Sequence, residues 1–201
     1  RASAFPAPLE ADALAAIAET LAVTASIRRW FESVHPSVPS LERLHEQIPD
    51  LSPIAAHIRE AIDDRGQVRD YASQRLASIR HAIEDARGRA KTLFDRLLRQ
   101  SGITKMLQYG GATFHNDRMV LPLKSEYRGR IAGIVHRTSD SGSTLFVEPA
   151  ESVELNNSIV RLRDEENKEI TRILSELTQH VRREKTVILD TLRAVGVLDL
   201  I

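Results

Sequence analysis

Two long stretches of this chain repeat apolar residues at steps of three and four positions, and this pattern limits the fold more than any other feature. The first lies within residues 67–101 and the second within residues 151–195. Such spacing places apolar side chains along one face of a helix, and a heptad-like face is typical of paired helices. Neither face is stable in water, so we expect the two helices to pack against each other in antiparallel orientation. Positions expected between them include Leu76, Ile79, Ile83, Ile173, Leu177 and Val181.

The segment between these two helices changes to the alternation of β-structure. Turn residues separate four short apolar runs, which are Thr113-Phe114, Met119–Leu121, Ile131–Val135 and Thr144–Val147. This pattern predicts four short antiparallel strands. The order of these helices and strands along the chain predicts a mainly α fold with a helical base, a long antiparallel coiled-coil hairpin and a small antiparallel β tip.

The N-terminal part predicts a small helical subdomain. Residues 9–34 have helical spacing, Ser40 is a candidate N-cap for a short helix that Pro49 ends, and another helix begins at Ser52-Pro53,. We therefore expect four segments: a helical core part (1–62), an ascending helix with its linker (63–111), the β tip (112–150) and a descending helix that returns to the core (151–201).

Composition excludes several kinds of site. The 201 residues include 28 Lys and Arg, 28 Asp and Glu, and no cysteine. Disulfides and thiolate metal sites are therefore excluded, and the net charge favours no partner. Because no apolar run is as long as a membrane span and no signal peptide opens the sequence, we expect a soluble, cytoplasmic protein without membrane contact. The chain starts at Arg1 and stops at Ile201 inside a helical pattern, so we expect a piece of a larger protein.

Positive charge is concentrated around the predicted strands. Five Lys or Arg residues and one acid, Glu126, lie between Arg118 and Arg137. A local excess of cations is what a phosphate backbone attracts, although exposed loops also carry charge without a ligand. Six residues are candidate nucleic-acid ligands: Arg118, Lys124, Arg128, Arg130, His136 and Arg137.

The residues give little support for catalysis. Ser141, His136 and Glu148 are types used in nucleophilic catalysis, but nothing in the sequence predicts a pocket around them. The Ser139–Thr144 segment lacks the spacing and the Lys of a phosphate-binding loop. We therefore assign no catalytic residue, metal ligand or cofactor site to this chain.

Two further patterns have a structural and a functional interpretation. Tyr109, Phe114 and Tyr127 lie near the predicted strands, where aromatic rings can stack on bases; packing within the thin sheet is the favoured interpretation. The run from Arg163 to Glu169 is almost wholly charged, which predicts a solvated part of the second helix.

Several motifs stand in a specific order along the chain: DYAS (70–73), LPLKSEYRG (121–129), GIVH (133–136), SGSTLFVEP (141–149) and VELNN (153–157). Together they resemble the second branch of the MutS proteins, which are the bacterial anti-recombination or endonuclease paralogues of mismatch-repair MutS. The resemblance covers roughly residues 40–201. Two positions depart from the family pattern, because Arg137 stands where an Asp is common and Asp117 where a Gly is common.

The resemblance implies the core, lever and clamp region of a homodimeric, DNA-binding ATPase, with the coiled coil as lever and the β tip as clamp. In that family an ATPase domain that binds ATP and magnesium follows this region, and an Smr nuclease domain often ends the chain. The implied ligand is branched or mismatched DNA, in recombination suppression or repair. Ribosomal or other structured RNA, as in rescue of stalled ribosomes, and a protein partner of the coiled-coil arm are the alternatives.

Overall fold

The computed structural model describes residues 7–34, 42 and 45–198. The chain falls into two compact units: a helical unit, formed by Arg1–Ala77 with Lys168–Ile201, and a sheet unit, Ser78–Asn167. The short helix predicted after Ser40 lies largely outside the described residues, and the four segment boundaries stay predictions. Among the described helices, none combines the length and the apolar character needed to cross a membrane.

The helical unit is built on apolar helix faces that meet in one cluster. Helix α1 (Ala11–Val34) packs against helix α2 (Ser52–Ala61). Both helices share a buried cluster with residues of the two predicted apolar stretches, and its members include Leu14, Leu21, Ile58, Leu76, Ile173 and Leu177.

Helix α3 spans Gln74–Leu98 and therefore begins later than the predicted residue 67. Asp70–Ala72 form a short 3-10 helix, and Ser73 follows in an extended conformation with φ −149° and ψ 151°. The Ser73 hydroxyl accepts a hydrogen bond from the backbone N–H of Leu76 at 3.0 Å. A serine N-cap of this kind sets the start of a helix, so the apolar spacing upstream of it does not continue α3. A single turn, α4 (Ile103–Met106), follows.

The second apolar stretch folds as two helices rather than one. Helix α5 covers Val153–Arg183 and helix α6 covers Lys185–Leu198, with the turn residue Glu184 between them. The backbone N–H of Ile188 still donates to the carbonyl of Glu184 at 2.9 Å. The interruption is therefore one residue wide.

Antiparallel pairing of α3 with α5 is visible in the sheet unit. Arg96 pairs with Glu151, immediately before α5, at 2.9 Å, whereas the earlier Arg80 pairs with the later Glu166 at 2.8 Å. Of the positions predicted to be buried, one is only partly buried, Val181. The others are buried, namely Leu76, Ile79, Ile83, Ile173 and Leu177, but Leu76, Ile173 and Leu177 share their cluster with α1 and α2.

The charged run predicted to be solvated contains two buried carboxylates. Glu166 is 6% exposed and Glu169 is 2% exposed. Within the sheet unit, Arg80 and Arg163 donate to the two carboxylate oxygens of Glu166 at 2.8 and 2.5 Å. The prediction is wrong for both glutamates, because arginines compensate their charge and allow burial.

Glu169 belongs to the helical unit, where three side chains surround its carboxylate. Arg172 Nη2 donates to its Oε1 at 2.7 Å, and the Ser73 hydroxyl donates to the same oxygen at 2.8 Å. The Nε atom of Arg75 lies 3.7 Å from Oε2. The hydrogen bonds from Arg172, opposed by burial and assisted by Ser73, lower the pKa of Glu169 to about 2.

We expect Glu169 to make the helical unit sensitive to acid. Its pKa is about 2 in the folded chain and returns to the ordinary, higher value on unfolding. Its stabilising contribution is therefore complete above about pH 5 and is lost as the pH falls towards 2. Urea denaturation followed by circular dichroism should show the free energy of unfolding decreasing across this window, with a shallower decrease in Glu169→Gln. An equally steep decrease in both proteins would contradict this role.

Within the described residues, one antiparallel sheet forms from four strands, β1 (Thr113–His115), β2 (Arg118–Lys124), β3 (Gly133–Thr138) and β4 (Thr144–Pro149). Their spatial order is β1-β2-β4-β3, so β1 and β3 are the edge strands. At the β1–β2 turn, Asn116 and Asp117 have positive φ values of 48° and 60°. A two-residue type I′ hairpin turn has this conformation. The four predicted strands are present, but β3 begins two residues after the predicted Ile131 and ends three residues after the predicted Val135.

An apolar cluster joins one face of the sheet to α3. The ring of Phe94, on the last turns of α3, is 1% exposed. Its cluster consists of residues from the α4 region and the two central strands: Leu107, Leu121, Leu123, Leu145 and Val147. This contact is the main apolar attachment of the sheet.

Edge strand β3 contains a bulge at His136. Val135 lies opposite Val147 on β4, but the next pair is Arg137 with Phe146, so one residue of β3 has no partner across the ladder. Counting backbone and side chain together, every residue of β3 is exposed, whereas β4 is almost entirely buried; the side chain of His136 is the less exposed part of that residue. The bulge therefore lies on the open edge of the sheet.

Candidate nucleic-acid interface

Glu148, on β4, is the polar centre of the sheet unit and has no exposed surface. Arg118 Nη1, from β2, donates to its two carboxylate oxygens at 2.9 and 3.1 Å. Asn156 Nδ2, from α5, donates to Oε1 at 2.8 Å, and the Nε2 of His136, from β3, contacts Oε2. Three strands and one helix therefore meet at a single buried carboxylate.

The two asparagines of α5 extend this network to the backbone of β2. Asn156 accepts a hydrogen bond from the N–H of Met119 and donates one to its carbonyl, both at 3.0 Å. Asn157 Oδ1 accepts from Nη2 of Arg118 at 2.7 Å. These bonds fix β2 against the start of α5, and we call the five side chains the Glu148 network: Glu148, Arg118, His136, Asn156 and Asn157.

The charge of the Glu148 network is compensated internally. Burial alone would raise the pKa of Glu148, but hydrogen bonds from His136 and Asn156, together with the Arg118 cation, hold that pKa below its usual value. Glu148 is therefore ionised at neutral pH. A buried carboxylate stays charged only when cations and donors surround it, as they do here.

Two of the six predicted ligands, Arg118 and His136, belong to this network. Their side chains are 22% and 23% exposed, and the donors described above are directed at Glu148 and Asn157. As nucleic-acid ligands they stay predictions. Their observed contacts position the strands that carry the other cations.

Lys124 and Arg137 make contacts that a ligand can replace. Lys124 Nζ donates to the backbone carbonyl of Lys105 at 3.2 Å. Arg137 pairs with Asp140 at 3.1 Å, and these two side chains are 53% and 95% exposed. Exposed ion pairs contribute little free energy, so both cations can exchange their present contact for a phosphate oxygen.

Arg128 and Arg130 are the most available of the predicted cations. Both are exposed, and within the described residues neither guanidinium has a hydrogen bond or ion pair. Their backbone N–H groups donate to Ser125 and Tyr127 at 3.2 and 3.0 Å, which gives the loop a defined shape. Gly129 between them has φ 78°, a left-handed conformation that glycine adopts without strain. The loop thus presents two positive charges that form no ion pair among the described residues and are separated by Gly129.

The aromatic residues near the sheet differ from the expectation. Tyr109 is 50% exposed and Phe114 is 55% exposed, whereas Tyr127 is partly buried. Packing within the sheet is therefore the wrong interpretation for Tyr109 and Phe114. Neighbouring strands cover rings poorly at an edge, and β1 is three residues long.

The residues considered for nucleophilic catalysis do not form a constellation. His136 contacts Glu148, but Ser141 Oγ lies 2.8 Å from Ser143 Oγ and has no hydrogen bond to His136 among the described residues. In the same part of the chain, no group of three or more His, Cys, Asp or Glu side chains could hold a metal ion. What the sheet unit offers a ligand is its exposed cations and rings.

Sequence reasoning missed Glu148, Asn156 and Asn157 as members of the site. A signal was present, because Glu148 is the only charged residue in the otherwise apolar strand Thr144–Pro149. A carboxylate at such a position needs a buried partner. Choosing Arg118 as that partner requires the order of the strands, which the sequence does not show.

The fold and the site together define a protein of paired helices with a small sheet that presents positive charge. No family model matches the chain. It is 42% identical over 197 residues to endonuclease MutS2 of Shouchella clausii, covering 96% of this chain and 25% of that protein. It is 39% identical over 183 residues to endonuclease MutS2 of Symbiobacterium thermophilum, covering 91% of this chain and 23% of that protein.

The chain belongs to the MutS family, in agreement with the resemblance of its motifs. It spans about a quarter of the length of the MutS2 relatives that it matches. A third relative, endonuclease MutS2 of a Geobacillus species, is 38% identical over 188 residues.

Proposed function

We propose that this chain is the DNA-binding core, lever and clamp segment of a MutS2-type protein, and that its sheet unit contacts backbone phosphates. One observation carries the proposal. The loop between β2 and β3 presents the guanidinium groups of Arg128 and Arg130 to solvent, and within the described residues neither forms an ion pair, in a chain whose total charge is zero. Cations placed in this way release counterions when they bind phosphate, which gives affinity without base specificity.

Lys124 and Arg137 add to this surface, because their contacts are exposed and replaceable. Arg118 and His136 support it from within by fixing β2 and β3 to Glu148. The proposed phosphate ligands are therefore Arg128 and Arg130 first, then Lys124 and Arg137. The binding should depend on the shape and charge of the DNA and should tolerate any sequence.

The proposal extends to the whole protein through its relatives, which carry the name endonuclease MutS2. We propose a homodimeric ATPase that acts on branched or mismatched DNA in recombination suppression or repair. Its ATP and magnesium would bind to residues beyond the matched segment. A helical pair between such an ATPase and the sheet would couple nucleotide state to DNA affinity.

The double variant Arg128→Ala/Arg130→Ala tests the DNA contact. It should weaken binding to duplex and four-way-junction DNA by about tenfold at moderate salt. Removing two phosphate contacts should also flatten the slope of log affinity against log salt by about 1.8, at 0.9 per contact. Fluorescence anisotropy with labelled DNA across a salt series measures both quantities.

A matched control removes the same charge elsewhere in the sheet unit. Arg89 and Lys91 are exposed residues of α3, so Arg89→Ala/Lys91→Ala should leave the salt slope nearly unchanged. Equal effects of the two double variants would show that general charge, not the loop, attracts the DNA. Tighter, equally loop-dependent binding of a structured RNA would identify RNA as the ligand and contradict the DNA assignment.

A further inference from the structure

Two aromatic rings of the sheet unit are exposed in a chain that contains few aromatic residues. Tyr109 is 50% exposed and Phe114 is 55% exposed, while aromatic residues make up 4% of the sequence. Leaving such rings in water gives up much of the free energy that their burial would contribute. The phosphate ligands proposed above do not account for these rings.

Both rings lie along the β1 edge of the sheet. Phe114 pairs across the ladder with Met119 on β2. Gln108, next to Tyr109, donates its backbone N–H to the carbonyl of Pro122 at 2.8 Å. Because Met119 and Pro122 are three residues apart on one strand, Phe114 and Gln108 are separated by about 10 Å along the edge, and Tyr109 follows Gln108 on the side towards Phe114. The two aromatic positions therefore lie within the length of about three base steps of 3.4 Å in a stacked strand.

The chain between the two rings leaves open space. Gly110 and Gly111 have no atom within 4 Å of the position that a Cβ would occupy. Gly111 has φ 94°, so a larger residue at that position would be strained. A planar ligand can therefore approach the backbone beside Tyr109, at Gly110 and Gly111, without meeting a side chain of these two residues.

Positive charge flanks the same edge. Lys105 is exposed and Lys124 is partly exposed, and the ammonium of Lys124 lies 3.2 Å from the carbonyl oxygen of Lys105. The segment that follows Lys105 runs beside β2, since Leu107 forms an isolated bridge with Leu123. Exposed rings beside lysines are the combination that binds single-stranded nucleic acid, in which bases stack on rings and cations follow the phosphates.

We propose that the β1 edge is a stacking surface for unpaired bases, formed by Tyr109 and Phe114 with Lys105 and Lys124 as its phosphate contacts. This inference rests on the proposed DNA-binding function and specifies its substrate as DNA that contains a single-stranded segment. Bases inside a duplex already stack on each other and present only their edges. An unpaired base has a free face, and only such a base can use an exposed ring in this way.

The test compares a short oligothymidylate with a fully paired duplex at one fixed salt concentration. Tyr109→Ala and Phe114→Ala should each weaken single-strand binding by about 5- to 150-fold, because base stacking on an aromatic ring is lost. Duplex affinity should not change. A strand containing 2-aminopurine should also show a fluorescence change on binding that both variants reduce.

Three control variants separate stacking from other contacts. Tyr109→Phe keeps the ring and should retain single-strand affinity. Phe114→Leu keeps apolar surface but removes the plane, so it should behave like Phe114→Ala. Tyr71→Ala removes a 69% exposed ring from the helical unit and should have no effect on either DNA.

The possible failures are distinguishable. If the unaltered chain binds neither DNA, the proposed function and the stacking surface are both overturned. Normal duplex binding with no loss of single-strand affinity in the alanine variants overturns the stacking surface alone. The stacking surface alone is also overturned if Phe114→Leu binds the single strand as tightly as the unaltered chain does. An apolar patch that binds protein would tolerate leucine, whereas base stacking requires a ring.

Discussion

Glu148→Ala is expected to destabilise the sheet unit by about 3–5 kcal/mol, the usual cost of removing one partner from a buried ion pair. The substitution leaves the Arg118 guanidinium, 22% exposed, without its carboxylate. It also removes the acceptor of Asn156 and the partner of His136. We expect the strands to separate from the start of α5, because the Glu148 network connects them.

Urea denaturation followed by circular dichroism measures the loss of free energy, and hydrogen exchange of the β2 and β4 amides locates it. Glu151→Ala is the matched control, since Glu151 is 56% exposed and pairs with the exposed Arg96. It should cost less than about 1 kcal/mol. Similar costs for both variants would mean that the network contributes no more than a surface ion pair.

Phe94→Ala should also cost about 3–5 kcal/mol, because it leaves a cavity in a well-packed core. Phe94 is 1% exposed and is the contribution of α3 to the buried apolar cluster under the sheet. Whereas Glu148 attaches the sheet to α5 through polar groups, Phe94 attaches it to α3 through apolar surface. Losing either attachment should weaken the protection of the strand amides against hydrogen exchange.

The same chemical change at an exposed ring provides the control. Phe114 is 55% exposed, so Phe114→Ala should change the free energy of unfolding by about 1 kcal/mol or less. Thermal and urea unfolding of the two variants measure the difference directly. Equal destabilisation would contradict the placement of Phe94 in the core or of Phe114 on the surface.

The sequence predicts the secondary structure of this chain well where one local rule decides it. Apolar spacing locates the two long helices, and alternation locates the four strands. The start of α3 differs from the prediction because a single side chain, Ser73, caps the helix at 3.0 Å from the N–H of Leu76. The burial of Glu166 depends on Arg80 of another helix, and a pattern along one helix cannot show such a partner.

The candidate site was only partly predictable, for a related reason. The sequence shows that cations are concentrated between residues 118 and 137, but not which of them face an acid. The strand order places Arg118 and His136 beside Glu148 and leaves Arg128 and Arg130 exposed. The sequence is equally ambiguous about aromatic residues, because the residues around an exposed ring at a sheet edge resemble those around a buried ring in a core.

The bulge in β3 determines which side of the sheet receives an arginine. In a regular ladder that continued from the pair of Val135 with Val147, Arg137 would lie opposite Leu145, a residue of the apolar cluster. The one extra residue reverses the alternation, so Arg137 lies opposite Phe146 instead,. Deleting His136 would make the ladder regular and would leave Arg137 opposite Phe146, but it would remove the imidazole that contacts Glu148. With the bulge, one edge strand supplies both the His136 contact to Glu148 and an arginine opposite Phe146.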